Sequence, residues 1–211
     1  MNELFKSEST MIDSFLISRG LKGMDLIEKN PSQSNKLTAQ DWLDIAESEL
    51  AKSGITAVRV EPLAKKLKVT KGSFYWHFSS RKELFEKLLS NWRTRSTVSI
   101  IERLSDIELT PEESLRKLFL IPYKRNTKTN GAALELAIRN WSQNDKAVRE
   151  ILNEVDTHRL TFIAMIFENL GYNKEQAEIR AARFYYTMQG ISVVNVHKEQ
   201  ASIEQIFETL L

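Results

Sequence analysis

The side chains best suited to chemistry lie in residues 60–78, VEPLAKKLKVTKGSFYWHF, where cations, hydroxyl groups and aromatic rings are dense. The spacing predicts two short helices whose apolar faces pack together across a tight turn. The buried positions are Leu63, Ala64, Leu67, Phe74 and Phe78. The outward positions are Lys65, Lys66, Lys68, Lys71, Ser73, Tyr75 and Trp76. No carboxylate occurs between Pro62 and Phe78, so this surface suits a polyanion. Unpaired N–H groups at the start of the second helix favour phosphate oxygens.

Catalytic chemistry has little support elsewhere in the chain. The three histidines, His77, His158 and His197, stand far apart in the sequence. No zinc-protease, Walker, dinucleotide-binding or nucleophile-elbow motif occurs. We therefore expect no enzyme, no cofactor and no metal site.

Two short helices across a tight turn form a helix-turn-helix. The pair Leu63-Ala64, residues 69–78, and then Arg81, Leu84 and Phe85 closely resemble the N-terminal domain of the TetR family of bacterial transcription regulators. The offsets of Gly72, Tyr75, His77 and Phe78 are the specific part of this resemblance. It implies an all-helical homodimer that binds a double-stranded DNA operator and a small-molecule effector.

The predicted DNA-binding residues are Thr70, Lys71, Gly72, Ser73, Tyr75, Trp76, His77 and Arg81. We expect Tyr75 and Arg81 to position phosphates, and Lys71 and Ser73 to contact base edges or an adjacent phosphate. Gly72 would let the end of the helix approach the duplex.

Trp76 and His77 complete this set. Because Phe74 and Phe78 already fill the buried positions, Trp76 should be exposed, and it would contact a sugar or a thymine methyl group. His77 has two interpretations. Its imidazole either packs against or caps the end of the recognition helix, or it donates to a phosphate.

Two residues depart from the usual pattern. Lys68 stands where helix-turn-helix turns often place glycine, and a left-handed conformation there would cost roughly 1 kcal/mol. Arg59 stands where a serine or threonine cap would often begin the first helix, so that cap must be weaker or come from elsewhere.

Composition predicts the elements that position this motif. The 211 residues include only 7 glycines and 4 prolines, and no run of alternating apolar residues occurs, so we expect an all-α protein. Its N-terminal three-helix DNA-binding domain is expected over residues 38–80. A long helix would join that domain to a larger C-terminal helical ligand-binding and dimerisation domain over residues 81–211.

Charge is distributed unevenly along the chain. Residues 36–93 hold eleven Lys/Arg against seven Asp/Glu, a net charge of +4, whereas the segments on either side are each at −1. This partition is typical of a DNA-binding module joined to a neutral body. The absence of cysteine and of any apolar stretch long enough to span a membrane favours a cytoplasmic protein.

Residues 1–37 form an N-terminal extension and linker. Residues 2–19 could form an amphipathic helix, and residues 30–35 are typical of a linker. The extension is either a frayed tail, or a helix that docks on a partner subunit, or an arm that reaches the DNA backbone.

The remaining helices have clear sequence signals. Thr38 with Asp41, and Thr110-Pro111 with Glu113, predict capping boxes at two helix starts. One long helix is expected over residues 81–104, another over about 132–141, two more over 145–170 and 174–195, and a closing helix over 203–210.

Apolar surplus on the C-terminal helices predicts a two-chain four-helix bundle, although the surplus could instead pack inside one subunit. The predicted dimerisation residues are Val155, Phe162, Ile166, Ala181, Tyr185 and Met188. The candidate ligand-binding residues are Trp92, Phe119, Tyr123, Trp141, Phe162 and Tyr185, although aromatic residues at helical spacing are more often core.

We therefore expect a sequence-specific DNA-binding transcriptional regulator, a repressor released from a palindromic operator by a small-molecule ligand. The alternatives are a helical protein-interaction module without DNA binding and a ligand-independent architectural DNA-binding protein.

Overall fold

The computed structural model describes residues 37–105, 108–123, 131–194 and 200–211. Over these ranges the chain is helical, and Thr38–Leu211 forms one compact unit. The predictions for residues 1–36 lie outside the described residues. The all-α prediction, with an N-terminal helix-turn-helix part and a larger helical C-terminal part, is confirmed.

Ten α-helices occur in the described ranges. They are α1 Ala39–Ser53, α2 Val60–Lys66, α3 Lys71–Phe74, α4 Arg81–Arg93, α5 Ser99–Ser105, α6 Pro111–Phe119, α7 Gly131–Ser142, α8 Lys146–Asn169, α9 Lys174–Val193 and α10 Gln200–Glu208. Short 3₁₀ turns occupy Ile55–Ala57 and Ile121–Tyr123, and a π-helical turn occupies Thr94–Val98.

Both predicted capping boxes are present. The Thr38 hydroxyl accepts from the Asp41 N–H, and the Asp41 carboxylate accepts from the Thr38 N–H. Thr110 and Glu113 exchange the same two bonds at the start of α6. Each box satisfies N–H groups that a helix start would otherwise leave unpaired. At its other end α1 finishes at Gly54, which has φ +76°, a conformation that favours glycine.

The predicted long helix over residues 81–104 is continuous in path but not regular. Between α4 and α5 the backbone widens into the π-helical turn, where the Ser99 N–H donates to the carbonyl of Thr94. Within α4 and within α5 the apolar residues keep helical spacing, but the nine-residue step from Trp92 to Ile101 departs from it.

The C-terminal core is built from α6, α8, α9 and α10. Helices α8 and α9 pack along each other, and Phe119, Phe167, Phe184 and Phe207 are fully buried between these elements. Helix α5 packs its Ile100, Ile101 and Leu104 side chains against the same core. Among the described residues, no helix is both long and apolar enough to cross a membrane.

Candidate nucleic-acid interface

The turn of the helix-turn-helix is a Schellman motif. Helix α2 is followed by Leu67 and then by Lys68, whose φ is +57°. The Lys68 N–H donates to the carbonyl of Lys65 at 3.2 Å, and the Val69 N–H donates to the carbonyl of Ala64 at 3.0 Å. These two bonds satisfy the last carbonyls of α2 and reverse the chain into α3. The left-handed conformation anticipated for Lys68 is therefore present.

The start of α2 has no side-chain cap. Arg59 occupies the N-cap position in extended conformation, and its side chain makes no capping bond. Its carbonyl still accepts from the Leu63 N–H at 3.1 Å, which begins the helix. The first helix of the helix-turn-helix therefore begins without the serine or threonine cap, as the sequence predicted.

Apolar packing sets the orientation of α3. Phe74 and Phe78 are buried and stacked, with ring centroids 5.2 Å apart, and the edge of Trp42 from α1 meets Phe74 at 5.3 Å. With these rings inside, Tyr75 is 55% exposed and Trp76 is 88% exposed. An indole that open to water has no packing role in the described chain, which suits it for contact with a partner.

Helix α3, the second helix of the helix-turn-helix, is short. Regular α-helix spans Lys71–Phe74, and the Thr70 side chain makes no capping bond. His77 is half-buried beside Phe78, and its backbone N–H donates to the carbonyl of Phe74. A Cβ added at Gly72 would lie 3.6 Å from the Thr70 hydroxyl, an ordinary contact, so packing within the subunit does not require glycine there.

Lys71 has an acidic partner that the sequence reasoning missed. Its Nζ lies 2.5 Å from a carboxylate oxygen of Glu61, in the first turn of α2. Because Glu61 accepts this hydrogen bond, its pKa is lowered, and the pKa of Lys71 is raised by the same bond. Glu61 stands just before the acid-free stretch 62–78, and only the fold brings it back to α3.

Arg81 is tied into the domain by its guanidinium. Its Nε donates to the carbonyl of Val58 at 2.8 Å, and its Nη2 donates to the carbonyl of Ile55 at 3.1 Å. The guanidinium also lies 4.6 Å from the centre of the Phe85 ring. Arg81 therefore joins the start of α4 to the 3₁₀ turn after α1, and its contact with phosphate stays a prediction.

Most of the candidate ligand-binding aromatics are core side chains. Trp92, Phe119, Phe162 and Tyr185 are each at most 9% exposed. The Tyr185 hydroxyl donates to Asp156 at 2.6 Å. The side chain of Tyr123 lies outside the described residues.

Trp141 is likewise buried, at 9% exposed, but it borders a groove. This groove has a volume of about 410 Å³. One side of the groove is α7, and the other is the end of α1 with the 3₁₀ turn that follows it. Leu50, Ile55 and Leu136 also line this groove. Its ring meets the edge of Phe85 at 5.0 Å, and its indole N–H donates to Asp145. Trp141 is therefore a core side chain that also lines an open groove.

Five of the six candidate dimerisation residues are buried within a single chain: Val155, Phe162, Ile166, Ala181 and Tyr185. Packing inside the subunit already covers their apolar area, and the dimerisation role predicted for them stays a prediction. Met188 is half-buried. The exposed apolar side chains of α9 are instead Ile179, Tyr186 and Val193, with Val194 directly after the helix.

Comparison with known proteins bears on both parts of the chain. The sequence model of the family described as "Bacterial regulatory proteins, tetR family" matches residues 43–88. The probable acrEF/envCD operon repressor of Escherichia coli K12 is 23% identical over 143 residues, which cover 65% of this chain and 58% of that protein. The regulator TtgR of Pseudomonas putida is 26% identical over 95 residues, 45% of each chain. The chain thus spans less than two thirds of the length of these relatives.

Solved structures share the fold across most of the chain. A TetR transcriptional regulator from Legionella pneumophila superposes with a TM-score of 0.69 at 17% identity, covering 84% of this chain and 97% of that one. A putative transcriptional regulator from Saccharomonospora viridis, in complex with choline, superposes with a TM-score of 0.66 at 19% identity, covering 82% and 92%. Residues 43–88, which contain the helix-turn-helix, thus match the family described as bacterial regulatory proteins of the tetR family, and the solved structures share the fold over more than four fifths of the chain.

Proposed function

We propose that this chain is a sequence-specific DNA-binding transcriptional regulator, a repressor that leaves a palindromic operator when a small molecule binds. The observation that carries the proposal is the outer face of the helix-turn-helix. There Trp76 and Tyr75 stand in solvent beside Lys71, while Phe74 and Phe78 anchor the helix from within. Exposed aromatic and cationic groups on a rigidly packed short helix suit the edges of bases and the phosphates beside them.

DNA binding is tested by the salt dependence of affinity. Fluorescence anisotropy would compare a duplex from the region upstream of the chain's own gene with a scrambled duplex. If each of two subunits neutralises about four phosphates, log affinity should fall against log salt with a slope of about −7. A slope near zero, or no duplex binding at all, would refute DNA binding and favour a helical protein-interaction module.

A matched pair of lysine variants makes this test specific. Lys71→Ala should reduce the steepness of the slope by about 2, one phosphate from each of two subunits. Lys146→Ala removes a lysine whose side chain is 89% exposed at the start of α8, far along the chain from the motif, and should leave the slope unchanged. Equal effects of both variants would mean that α3 is not the contact.

We place the dimer contact of this proposal on α9. Ile179, Tyr186 and Val193 follow one another at intervals of seven residues, so they share one face of the helix, and each is more than half exposed. Such a stripe suits a second copy of the chain packed across a two-fold axis. In analytical ultracentrifugation, Tyr186→Glu should dissociate the dimer, so that the measured mass falls to that of one chain. Leu136→Glu on α7 should leave the mass of the dimer unchanged.

The effector is proposed by analogy with the structural neighbour that holds choline. Binding of the effector would favour a conformation in which α4 and α5 pivot. The α3 helices of the two subunits would then no longer match the spacing of successive major grooves in the DNA. Cell extract added to the protein–DNA complex tests this step. Release of DNA supports an effector, and persistence of the complex favours a ligand-independent architectural role.

A further inference from the structure

The π-helical turn Thr94–Val98 lies where the connecting helix changes its packing partners. Before it, α4 packs against α1 of the helix-turn-helix part. After it, α5 packs against the C-terminal core. A π-helical turn holds one more residue per turn than an α-helix and is rare except as single turns, frequently at functional sites. Two side chains from outside the connecting helix hold this turn in place.

One side chain ties the turn to the helix-turn-helix part. Arg95 donates from Nη2 to both carboxylate oxygens of Glu47 at 2.6 Å. Glu47 lies on α1, and its side chain is only 4% exposed. A carboxylate this buried needs a cationic partner, so the contact fixes the distance between the turn and α1.

A second side chain ties the turn to the C-terminal part. Arg159 of α8 donates from Nε to the Thr97 hydroxyl at 3.1 Å and from Nη2 to the carbonyl of Ser96 at 3.1 Å. Thr97 is 3% exposed and the Arg159 side chain is 13% exposed, so this contact is shielded from water, whereas the Arg95 side chain is 45% exposed. Its geometry matches a widened turn, because Arg159 supplies a donor to a carbonyl inside it.

Arg159 is itself held in a partly buried charge cluster of Glu135, Arg139, Asp156 and Tyr185. Its Nη1 donates to Glu135 at 2.8 Å and to the Tyr185 hydroxyl at 3.1 Å. Burial alone would raise the pKa of Glu135, but the Arg159 and Arg139 guanidinium groups lower it, so the carboxylate is ionised. Arg159 of α8 therefore links the π-helical turn to Glu135 of α7 and to Tyr185 of α9.

We propose that the π-helical turn is the point at which the C-terminal part sets the position of the helix-turn-helix, with Arg95 and Arg159 as its two positioning residues. The proposal rests on the DNA-binding function proposed above. Return of the turn to α-helical geometry shifts the register by one residue, a rotation of about 100° and a rise of about 1.5 Å. Any change that withdraws Arg159 from Ser96 and Thr97 therefore moves α4, and Arg81 carries that movement to the turn after α1.

Two variants with opposite charge changes test the first contact. Arg95→Gln lowers the net charge and Glu47→Gln raises it, so a purely electrostatic effect on DNA affinity would have opposite signs. If the contact positions the helix-turn-helix, both variants weaken operator binding, by about 2- to 30-fold. Arg116→Gln breaks the ion pairs of α6 with α10, in which no residue of the turn takes part, and should leave affinity unchanged.

Spin labels measure the position directly. The chain has no cysteine, so Lys65→Cys and Lys146→Cys provide a clean pair of sites, one on α2 and one on α8. In otherwise unchanged protein the distance distribution should be narrow. Arg95→Gln, Glu47→Gln and Thr97→Val should each broaden or shift it, and Arg116→Gln should not.

The two measurements separate failure of this inference from failure of the proposed function. Unchanged distance distributions in the Arg95, Glu47 and Thr97 variants overturn the positioning role, whatever the DNA result. Opposite effects of Arg95→Gln and Glu47→Gln on affinity overturn it as well. Broadened distributions in a protein that binds no duplex would keep the positioning role and refute DNA binding.

Discussion

Lys68 is the residue at which a single substitution should stabilise this protein. Its φ of +57° places a side chain with a Cβ in the left-handed region, and no other described non-glycine residue has a positive φ. That conformation costs roughly 1–2 kcal/mol for an ordinary residue. Glycine removes this cost. It also favours the unfolded chain by about 0.4–1 kcal/mol, because an unfolded glycine has more conformational freedom. The net effect of Lys68→Gly is therefore a gain of about 1 kcal/mol.

The assay is thermal unfolding followed by circular dichroism. For a unit of this size, about 1 kcal/mol corresponds to a rise in Tm of roughly 2–4 °C. Lys68→Ala is the matched control, because it removes the same exposed charge and keeps the Cβ. It should leave Tm close to that of the unchanged protein.

Two results would refute the reasoning. If Lys68→Gly and Lys68→Ala raise Tm equally, relief of repulsion among the neighbouring lysines is the cause, not backbone strain. If Lys68→Gly lowers Tm, the added conformational freedom of the unfolded glycine variant outweighs the cost of the left-handed conformation at this position.

Three further outcomes follow from the site. Glu61→Gln should raise DNA affinity in the anisotropy assay, because it releases the Lys71 ammonium from its ion pair; unchanged affinity would mean that Lys71 does not face the duplex. Lys71→Ala combined with Tyr75→Phe should weaken DNA binding and leave the oligomer's mass intact, and a change of mass in ultracentrifugation would show that these side chains do not face outward. Hydrogen bonds from Lys87 and Ser79 lower the pKa of Glu83 to about 2, so its stabilising contribution is present above pH 4.5 and is lost as the pH falls towards 2. Between pH 4.5 and 2, the Tm of Glu83→Gln should therefore fall less than the Tm of the unchanged protein. Equal falls in Tm would argue against a stabilising role of the Glu83 carboxylate.

Local patterns were sufficient for the helices and their ends. The capping boxes of Thr38 and Thr110 and the exposure of Trp76 were all predicted from residues within a few positions of one another. Such signals act within one or two helical turns, where the chain itself sets the geometry. The π-helical turn escaped prediction because the expected long helix joins the stripes of α4 and α5 into one, although the nine-residue step from Trp92 to Ile101 does not keep helical spacing.

The sequence by itself determined the helical fold, the helix-turn-helix and the resemblance to a family, because contiguous residues 60–78 carry their own packing pattern. Tertiary structure alone decided which apolar residues of α8 and α9 are core, as with Val155 and Tyr185, and which remain exposed, as with Tyr186. It also decided the partners of charged groups: Glu47 and Arg95 are 48 residues apart in the chain and yet form one contact. Periodicity places a side chain on a helix face, but only the packing of helices determines what that face meets.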